Sequence, residues 1–304
     1  MNFFKEIPES LSWKHIEEIK KGWSKDRKYY VETADSKKLL LRIADLEFYE
    51  RKAEEFDFLK KVNALDFKMS KALSFGKTKN FVYMILEWID GVSLNEVLAS
   101  LPEEMQYQLG VQAGKALKAV HSLGVEKDSS SPLDKKKTML KKLEIYESGK
   151  VRIKKDYVVI NFVKKNIDYI FPYTPVYQHG DFHIGNMLLT PEGELAVIDF
   201  NRFGVGDSCE EFLKVQSFDV SVSIPFAIGQ IHSYFSGIPK IEFWKKLALF
   251  CALSALYSIS WAEKFGSDEV EKMKEIYFQT IKDYENFTTD VPKWYKENCK
   301  KYIV

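Results

Sequence analysis

The sequence predicts an α+β fold of two lobes, a β-rich front over residues 1–89 and a mainly helical back over residues 90–304. Three observations carry this. The front holds apolar, β-favouring runs separated by a turn signal; past Asp90-Gly91 the hydrophobic period becomes that of helices. A chain of 304 residues, 45% hydrophobic and 14% aromatic, is also long enough to fill one large core or two smaller ones.

The front begins with two runs, Lys28-Tyr-Tyr-Val-Glu-Thr33 and Lys38-Leu-Leu-Leu-Arg-Ile43, which read as a hairpin across Ala34-Asp35-Ser36-Lys37. Residues Glu47 to Val62 read as a helix, with Phe48, Phe56, Leu59 and Val62 between charges. Phe81-Val-Tyr-Met-Ile-Leu86 reads as a further strand, and the hinge between lobes is expected near Ile89 to Gly91. Ser93-Leu-Asn-Glu96 fits a capping box. Pro102 to Ser122 carries Met105, Leu109, Ala113, Ala116, Leu117 and Val120 along one face, the pattern of a core-facing helix. The polar stretch Lys127–Lys137 is expected to be a surface loop. Met187–Leu189 and Leu195–Ile198 read as short strands about Pro191-Glu-Gly-Glu194, and the chain from about Glu210 to Tyr284 as aromatic-rich helices.

Composition excludes several classes. Lys and Arg number 45 against 44 Asp and Glu, and a net charge of +1 argues against a globally basic nucleic-acid binder. Cys209, Cys251 and Cys299 are odd in number and far apart, which argues against a disulfide framework and a cysteine-built zinc site. The longest uncharged run, between Lys246 and Glu263, falls short of the roughly 20 residues needed to cross a bilayer and reads as a buried helix. The N-terminus meets charge and proline too soon for a signal-peptide core. A cytoplasmic, monomeric protein that engages neither nucleic acid nor membrane is expected.

The informative stretch is His179-Gly-Asp-Phe-His-Ile-Gly-Asn186, followed by Val197-Ile-Asp-Phe200. Asp181 and Asn186 share one short loop, and Asp199 follows an apolar strand. A carboxylate and an amide oxygen brought together are hard ligands for Mg²⁺, and a second carboxylate can accept a hydroxyl proton. That is the minimal equipment for moving a phosphoryl group to an alcohol, and its order and spacing match the kinase plan. The alternative, three polar residues that happen to lie beside two strands, leaves the combination unexplained. His179 and His183 have the spacing H-x-x-x-H of some metal sites, but Gly180-Asp181 between them fits a tight loop better than a helix face.

With H-G-D-x-H-x-x-N and the later I-D-F, the chain resembles the aminoglycoside phosphotransferase family, small-molecule kinases of protein-kinase-like fold. The resemblance runs from about Gly22 to Glu211 and implies ATP or GTP as co-substrate with Mg²⁺. It makes Asp181 the catalytic carboxylate and Asn186 and Asp199 the metal ligands. Gly22-Trp-Ser-Lys-Asp-Arg-Lys28 stands where a nucleotide-covering loop lies, so Ser24 is a candidate phosphate contact. The third strand, where the family usually has lysine, offers Arg42 for the α/β phosphates, with Glu55 as its partner and Glu50 and Glu54 as rivals. Adenine is expected at the Glu87 carbonyl and the Ile89 amide. His179 supports the loop backbone, and His183 is assigned to the substrate or phosphate side. Gly206-Asp207-Ser208 resembles a Gly-Asp-Pro turn, with Asp207 a brace. Asn201 stands where protein kinases have the glycine of Asp-Phe-Gly, which favours the small-molecule branch.

No acceptor-binding residue emerges. The net charge is +3 before Asp90 and −2 from it onward, too small a contrast to select a polycationic antibiotic. An aminoglycoside or other antibiotic stands beside a metabolite alcohol of the choline, homoserine, methylthioribose or fructosamine kind. A nucleotide-binding regulatory protein without transfer activity is the alternative from another class.

Overall fold

The computed structural model describes residues 3–20, 25–125 and 131–302. The expected phosphate contact Ser24, with Gly22, lies outside the described residues. The strands are β1 (Trp13–Ile19), β2 (Arg27–Thr33), β3 (Lys38–Asp45), β4 (Lys68–Met69), β5 (Ala72–Lys77), β6 (Phe81–Glu87), β7 (Val92–Ser93), β8 (Pro175–Gln178), β9 (Met187–Leu189), β10 (Leu195–Val197) and β11 (Gly204–Asp207). The helices are α1 (Tyr49–Val62), α2 (Leu94–Val97), α3 (Glu103–His121), α4 (Pro132–Glu147), α5 (Tyr157–Asn166), α6 (Ile224–Phe235), α7 (Ile241–Ala262), α8 (Ser267–Asp283) and α9 (Lys293–Asn298).

The chain forms two compact units, residues 1–94 with 186–203, and residues 95–185 with 204–304. The expected division at residue 89 differs from this. β7 pairs with β9, and β10 pairs with β4, so residues 186–203 join the first unit through backbone hydrogen bonds that local sequence does not announce.

The first unit is built on a five-stranded antiparallel sheet in the order β1-β2-β3-β6-β5. Alternation along its strands sorts the side chains onto two faces. Tyr29, Val31, Leu39, Leu41, Ile43, Phe81, Tyr83 and Ile85 bury one face together with Phe4 and Ile7 of the N-terminal segment. The register Lys28↔Arg42↔Met84 and Tyr30↔Leu40↔Leu86 puts these six residues on the opposite face. β1 escaped the sequence reading because only every third residue is even partly covered and four of its seven are charged or histidine.

In the second unit, α3 lies against α6 with very close backbones. A methyl group built at Gly110 would overlap the carbonyl oxygen of Phe226; at Gly114 it would strike that of Gln230, and at Gly229 that of Tyr107. α7 is the buried centre, with Phe243, Trp244, Leu247, Leu249, Leu253, Leu256 and Ile259 in the core. No helix of the described residues is long and apolar enough to cross a membrane. The expected loop over Lys127–Lys137 is corrected in its second half. Ser131 caps α4 by accepting from the Asp134 amide at 3.2 Å, and Pro132 stands in its first turn, so the polar run opens a helix. The three cysteines are free thiols.

Candidate active site

The second unit carries the loop that begins at His179. β8 leads into the loop that starts at His179, and Gly180 has φ 81°, a left-handed conformation that glycine adopts without steric cost. The loop is held by its own amides. The two carboxylate oxygens of buried Glu211 accept from the amides of His179 (2.7 Å) and Gly180 (2.9 Å). The His179 Nδ1 accepts from the Asp181 amide at 3.2 Å, and the His183 Nδ1 from that of Gly185 at 3.1 Å. Asp219, fully buried, accepts from the Ile184 amide at 3.0 Å. The Glu211 and Asp219 bonds pair amides in the buried part of the loop that would otherwise lack a partner.

Asp181 stands at the centre of this loop. The Lys214 ammonium lies 2.7 Å from its Oδ1 and the His183 imidazole 3.7 Å from the same oxygen. Lys214 also sits 5.2 Å over the Phe218 ring, against which His183 packs at 4.8 Å. Burial alone would raise the Asp181 carboxyl, but His183 and Lys214 together hold it well below the usual carboxylate range. Asp181 is therefore ionised at any working pH.

Asp219 lies at the end of one turn of π-helix, Val215–Asp219, the kind of irregular turn that tends to occur at functional sites. Burial pushes its carboxyl up from the usual 3.8 to about 8, against the pull of the Ile184 amide and Lys214. The sign follows directly. Between about pH 4 and pH 8 the unfolded chain loses this proton and the folded chain keeps it, so stability falls as pH rises through that window. Asp219→Asn retains the acceptor for Ile184 and has no proton to lose. Its melting temperature should gain on the parent between pH 5 and pH 8 by several degrees, at about 2–4 °C per kcal/mol for a chain of this size. Parallel melting curves across that range would refute the assignment.

Asp207 is buried without exposure and bonds at the base of β8 and β11: it accepts from the amides of Thr174 (3.3 Å) and Cys209 (2.9 Å) and pairs with Lys246 at 2.9 Å. The amides of His179, Gly180 and Ile184 go instead to Glu211 and Asp219, which sequence reasoning passed over, as it did Lys214. A faint signal existed: Glu211 and Lys214 are charged residues three apart at the opening of an otherwise apolar stretch.

The first unit carries the metal-ligating candidates and the cations. Asn186 opens β9, and its carbonyl accepts from the Ile198 amide at 3.0 Å, which brings it beside the residue preceding Asp199. Asp199 has φ 65° and ψ 60°, the left-handed region tolerated best by Asp and Asn among residues with a Cβ. This turn directs Phe200 towards Phe58 of α1 (ring centroids 6.2 Å), while Phe203 stacks on Phe58 at 4.6 Å and its carbonyl accepts from Arg51 at 2.6 Å. The Lys28 ammonium of β2 lies 3.1 Å from the Asp199 Oδ2. An amide and a carboxylate side chain on neighbouring backbone are oxygen donors of the type Mg²⁺ takes, with coordination left for phosphate oxygens and water.

Arg42 and Glu55 meet at 2.5 Å, whereas Glu54 pairs with Arg51 at 3.6 Å and is exposed. Arg42 also donates through Nε (3.0 Å) and Nη2 (2.5 Å) to Asp26, and Lys52 bridges Asp26 (2.7 Å) and Glu55 (2.9 Å). At the end of β6, Glu87, Trp88 and Ile89 line a cavity of about 310 Å³ with Met69, Asp90 and Pro191. Trp88 meets Tyr30 edge to face at 5.0 Å, and Lys38 pairs with Asp90 at 2.7 Å.

A cation beside Asp199 on one sheet face and an ionised aspartate on an anchored His-Gly-Asp loop occur in a chain that has a protein-kinase-like fold and the family match of a phosphotransferase. The phosphotransferase enzyme family (APH) matches residues 15–244, and the chain belongs to it. Among solved structures the chain is similar to an aminoglycoside 2'-phosphotransferase-IIIa in its GDP complex, with a TM-score of 0.71 and 15% identity over 95% of this chain and 97% of that one. It is similar to APH(2'')-IIa bound to gentamicin (TM-score 0.64, 17% identity, 91% and 95% covered). It is likewise similar to the amicoumacin kinase hAmiN with AMP-PNP, Ca²⁺ and its ligand (0.64, 13%, 95% and 95%). No curated protein matches the chain.

Proposed function

We propose that this protein is an ATP- or GTP- and Mg²⁺-dependent kinase that moves the γ-phosphoryl group to a hydroxyl of a small molecule, with aminoglycosides the first acceptor class to test. The observation that carries the reading is the anchored loop: its amides are tied to Glu211 and Asp219, and Asp181 projects from it as a carboxylate. The acceptor class is suggested by the ligands named for the structural neighbours, gentamicin among them. Metabolite alcohols form the comparison set. The protein is taken to act as a cytoplasmic monomer.

Asp181 accepts a hydrogen bond from the acceptor hydroxyl and aims its oxygen at the γ-phosphorus. As the new oxygen–phosphorus bond forms and the β–γ bridging bond breaks, the hydroxyl proton passes to Asp181 and then to solvent. A carboxylate as acidic as this one is a weak base, which suits a loose transition state that needs positioning before deprotonation. Asn186 and Asp199 would hold Mg²⁺, which when bound neutralises charge on the phosphate oxygens. Glu87 and Ile89 would offer backbone groups to the base, from the lining of the 310 Å³ cavity.

Nucleoside-diphosphate release tests the proposal, with ATP and GTP each offered alongside aminoglycosides, macrolides, peptide antibiotics and small metabolite alcohols. Acceptor-dependent release with one class supports the reading and names the substrate. A protein that binds neither ATP nor GTP in the presence of Mg²⁺ refutes it.

Lys214 has a distinct expected effect. Lys214→Met strips Asp181 of its closest counter-charge, so the Asp181 carboxyl should titrate at higher pH and an acid limb should move towards the accessible low-pH end of the kcat/KM profile. Turnover at neutral pH should fall about tenfold, the worth of one charge-assisted hydrogen bond. An unmoved acid limb would show that Lys214 does not act through Asp181.

A further inference from the structure

We infer that Lys28 of β2, and not Arg42 of β3, is the cation that grips the nucleotide's phosphates, and that Arg42 is a structural ion fixed beneath it. The inference rests on the kinase reading above. Its first support is the state of Arg42. The side chain is 4% exposed, and its guanidinium donates to Asp26 and Glu55 on two sides. Lys52 bridges the same two carboxylates, so two cations and two anions meet in one buried cluster. Turning Arg42 outward onto a phosphate would take its guanidinium away from two buried carboxylates. Burial makes that exchange unfavourable, because an uncompensated buried charge costs far more than an exposed one.

Lys28 has the opposite properties. The β2–β3 register sets it directly across from Arg42, and paired residues of an antiparallel ladder project on the same face. It therefore shares the face of Tyr30, Leu40, Met84 and Leu86, and Tyr30 in turn meets Trp88 beside the cavity at the end of β6. Its ammonium lies 3.1 Å from the Asp199 carboxylate, the proposed metal ligand, and its side chain is 15% exposed. Lysine is a compact charge on a flexible stem and can change partner with little rearrangement, whereas the planar fork of Arg42 is committed in two directions. Lys28 thus holds the place of a cation on Asp199. With that carboxylate given over to a divalent ion, the Lys28 ammonium would be free to turn to phosphate oxygens nearby. The cluster of Lys28, Arg42 and Lys52 against Asp26, Glu55 and Asp199 is charge-balanced before the exchange. This exchange explains how the strand position usual for lysine can carry an arginine that never leaves its buried partners.

Equilibrium titration of the full-length protein with AMP-PNP and GMP-PNP in Mg²⁺, and with adenosine and guanosine alone, separates the two cations. Lys28→Met should weaken the imidotriphosphate about tenfold or more, the worth of a hydrogen bond between charged groups, and leave the nucleoside within about twofold. Arg42→Lys should keep the triphosphate affinity within about threefold while lowering the melting temperature by several degrees, because the buried cluster is broken. Triphosphate binding unchanged in Lys28→Met overturns the inference and leaves the kinase reading standing. So does an Arg42→Lys variant that melts like the parent and loses triphosphate affinity. A parent protein that binds neither triphosphate overturns the kinase reading and this inference with it.

Discussion

Asp181→Asn should reduce turnover about a thousandfold, the middle of the range for removing a positioned acid–base group, while nucleotide affinity changes little. The asparagine keeps the shape and the amide anchored by His179, since that bond comes from the backbone. What it loses is the negative charge that, in the proposed mechanism, orients the acceptor hydroxyl and the oxygen that takes its proton. It also leaves Lys214 without its partner at 2.7 Å, so the variant places a net positive charge where the hydroxyl must sit. The measurement is single-turnover phosphoryl transfer alongside titration of AMP-PNP binding. A variant within tenfold of the parent in turnover would remove Asp181 from the mechanism.

Asp199→Asn should lower turnover by about two to three orders of magnitude, the cost of removing one element of a phosphate-charge clamp. Here the nucleoside should bind as before and the Mg²⁺ dependence should change. Half-maximal activity would need a much higher metal concentration, because one carboxylate has become a neutral amide beside Asn186. The backbone tolerates the change, since Asn adopts the left-handed conformation of residue 199 as readily as Asp does. An unaltered Mg²⁺ requirement at reduced turnover would separate Asp199 from metal binding.

How much of this was legible in the sequence depended on how far apart the cooperating residues lie. His179 to Asn186 is one loop, so its spacing survives in the linear text, and Asp199 follows a strand that pairs with the next one back. The Arg42–Glu55 pair was accessible because one lies on a β-favouring run and the other on the helix after it. Asp26 and Lys52, which close that cluster, were not, since nothing local distinguishes them from solvated charges. Glu211, Lys214 and Asp219 lie some thirty to forty residues beyond the loop amides and carboxylate they engage, within a stretch that reads simply as helix. Their importance comes from burial and from tertiary proximity, which neither periodicity nor motif records. The choice between Lys28 and Arg42 was hidden for a related reason: both are cations on adjacent strands, and only register and exposure separate them. α4 was missed because a serine cap and a proline look the same in a loop as at a helix start.

The seam between α3 and α6 constrains how this protein can vary. With backbone against backbone at Gly110, Gly114 and Gly229, one added carbon at any of the three meets a backbone carbonyl, and at Gly114 the Ser233 hydroxyl as well. The two helices therefore behave as a single solid piece whose spacing cannot be tuned by degrees, and a substitution there is all or nothing. Gradual adaptation, in a laboratory lineage or a natural one, must run through elements such as α4, where exposed lysines can change one at a time without moving the backbone.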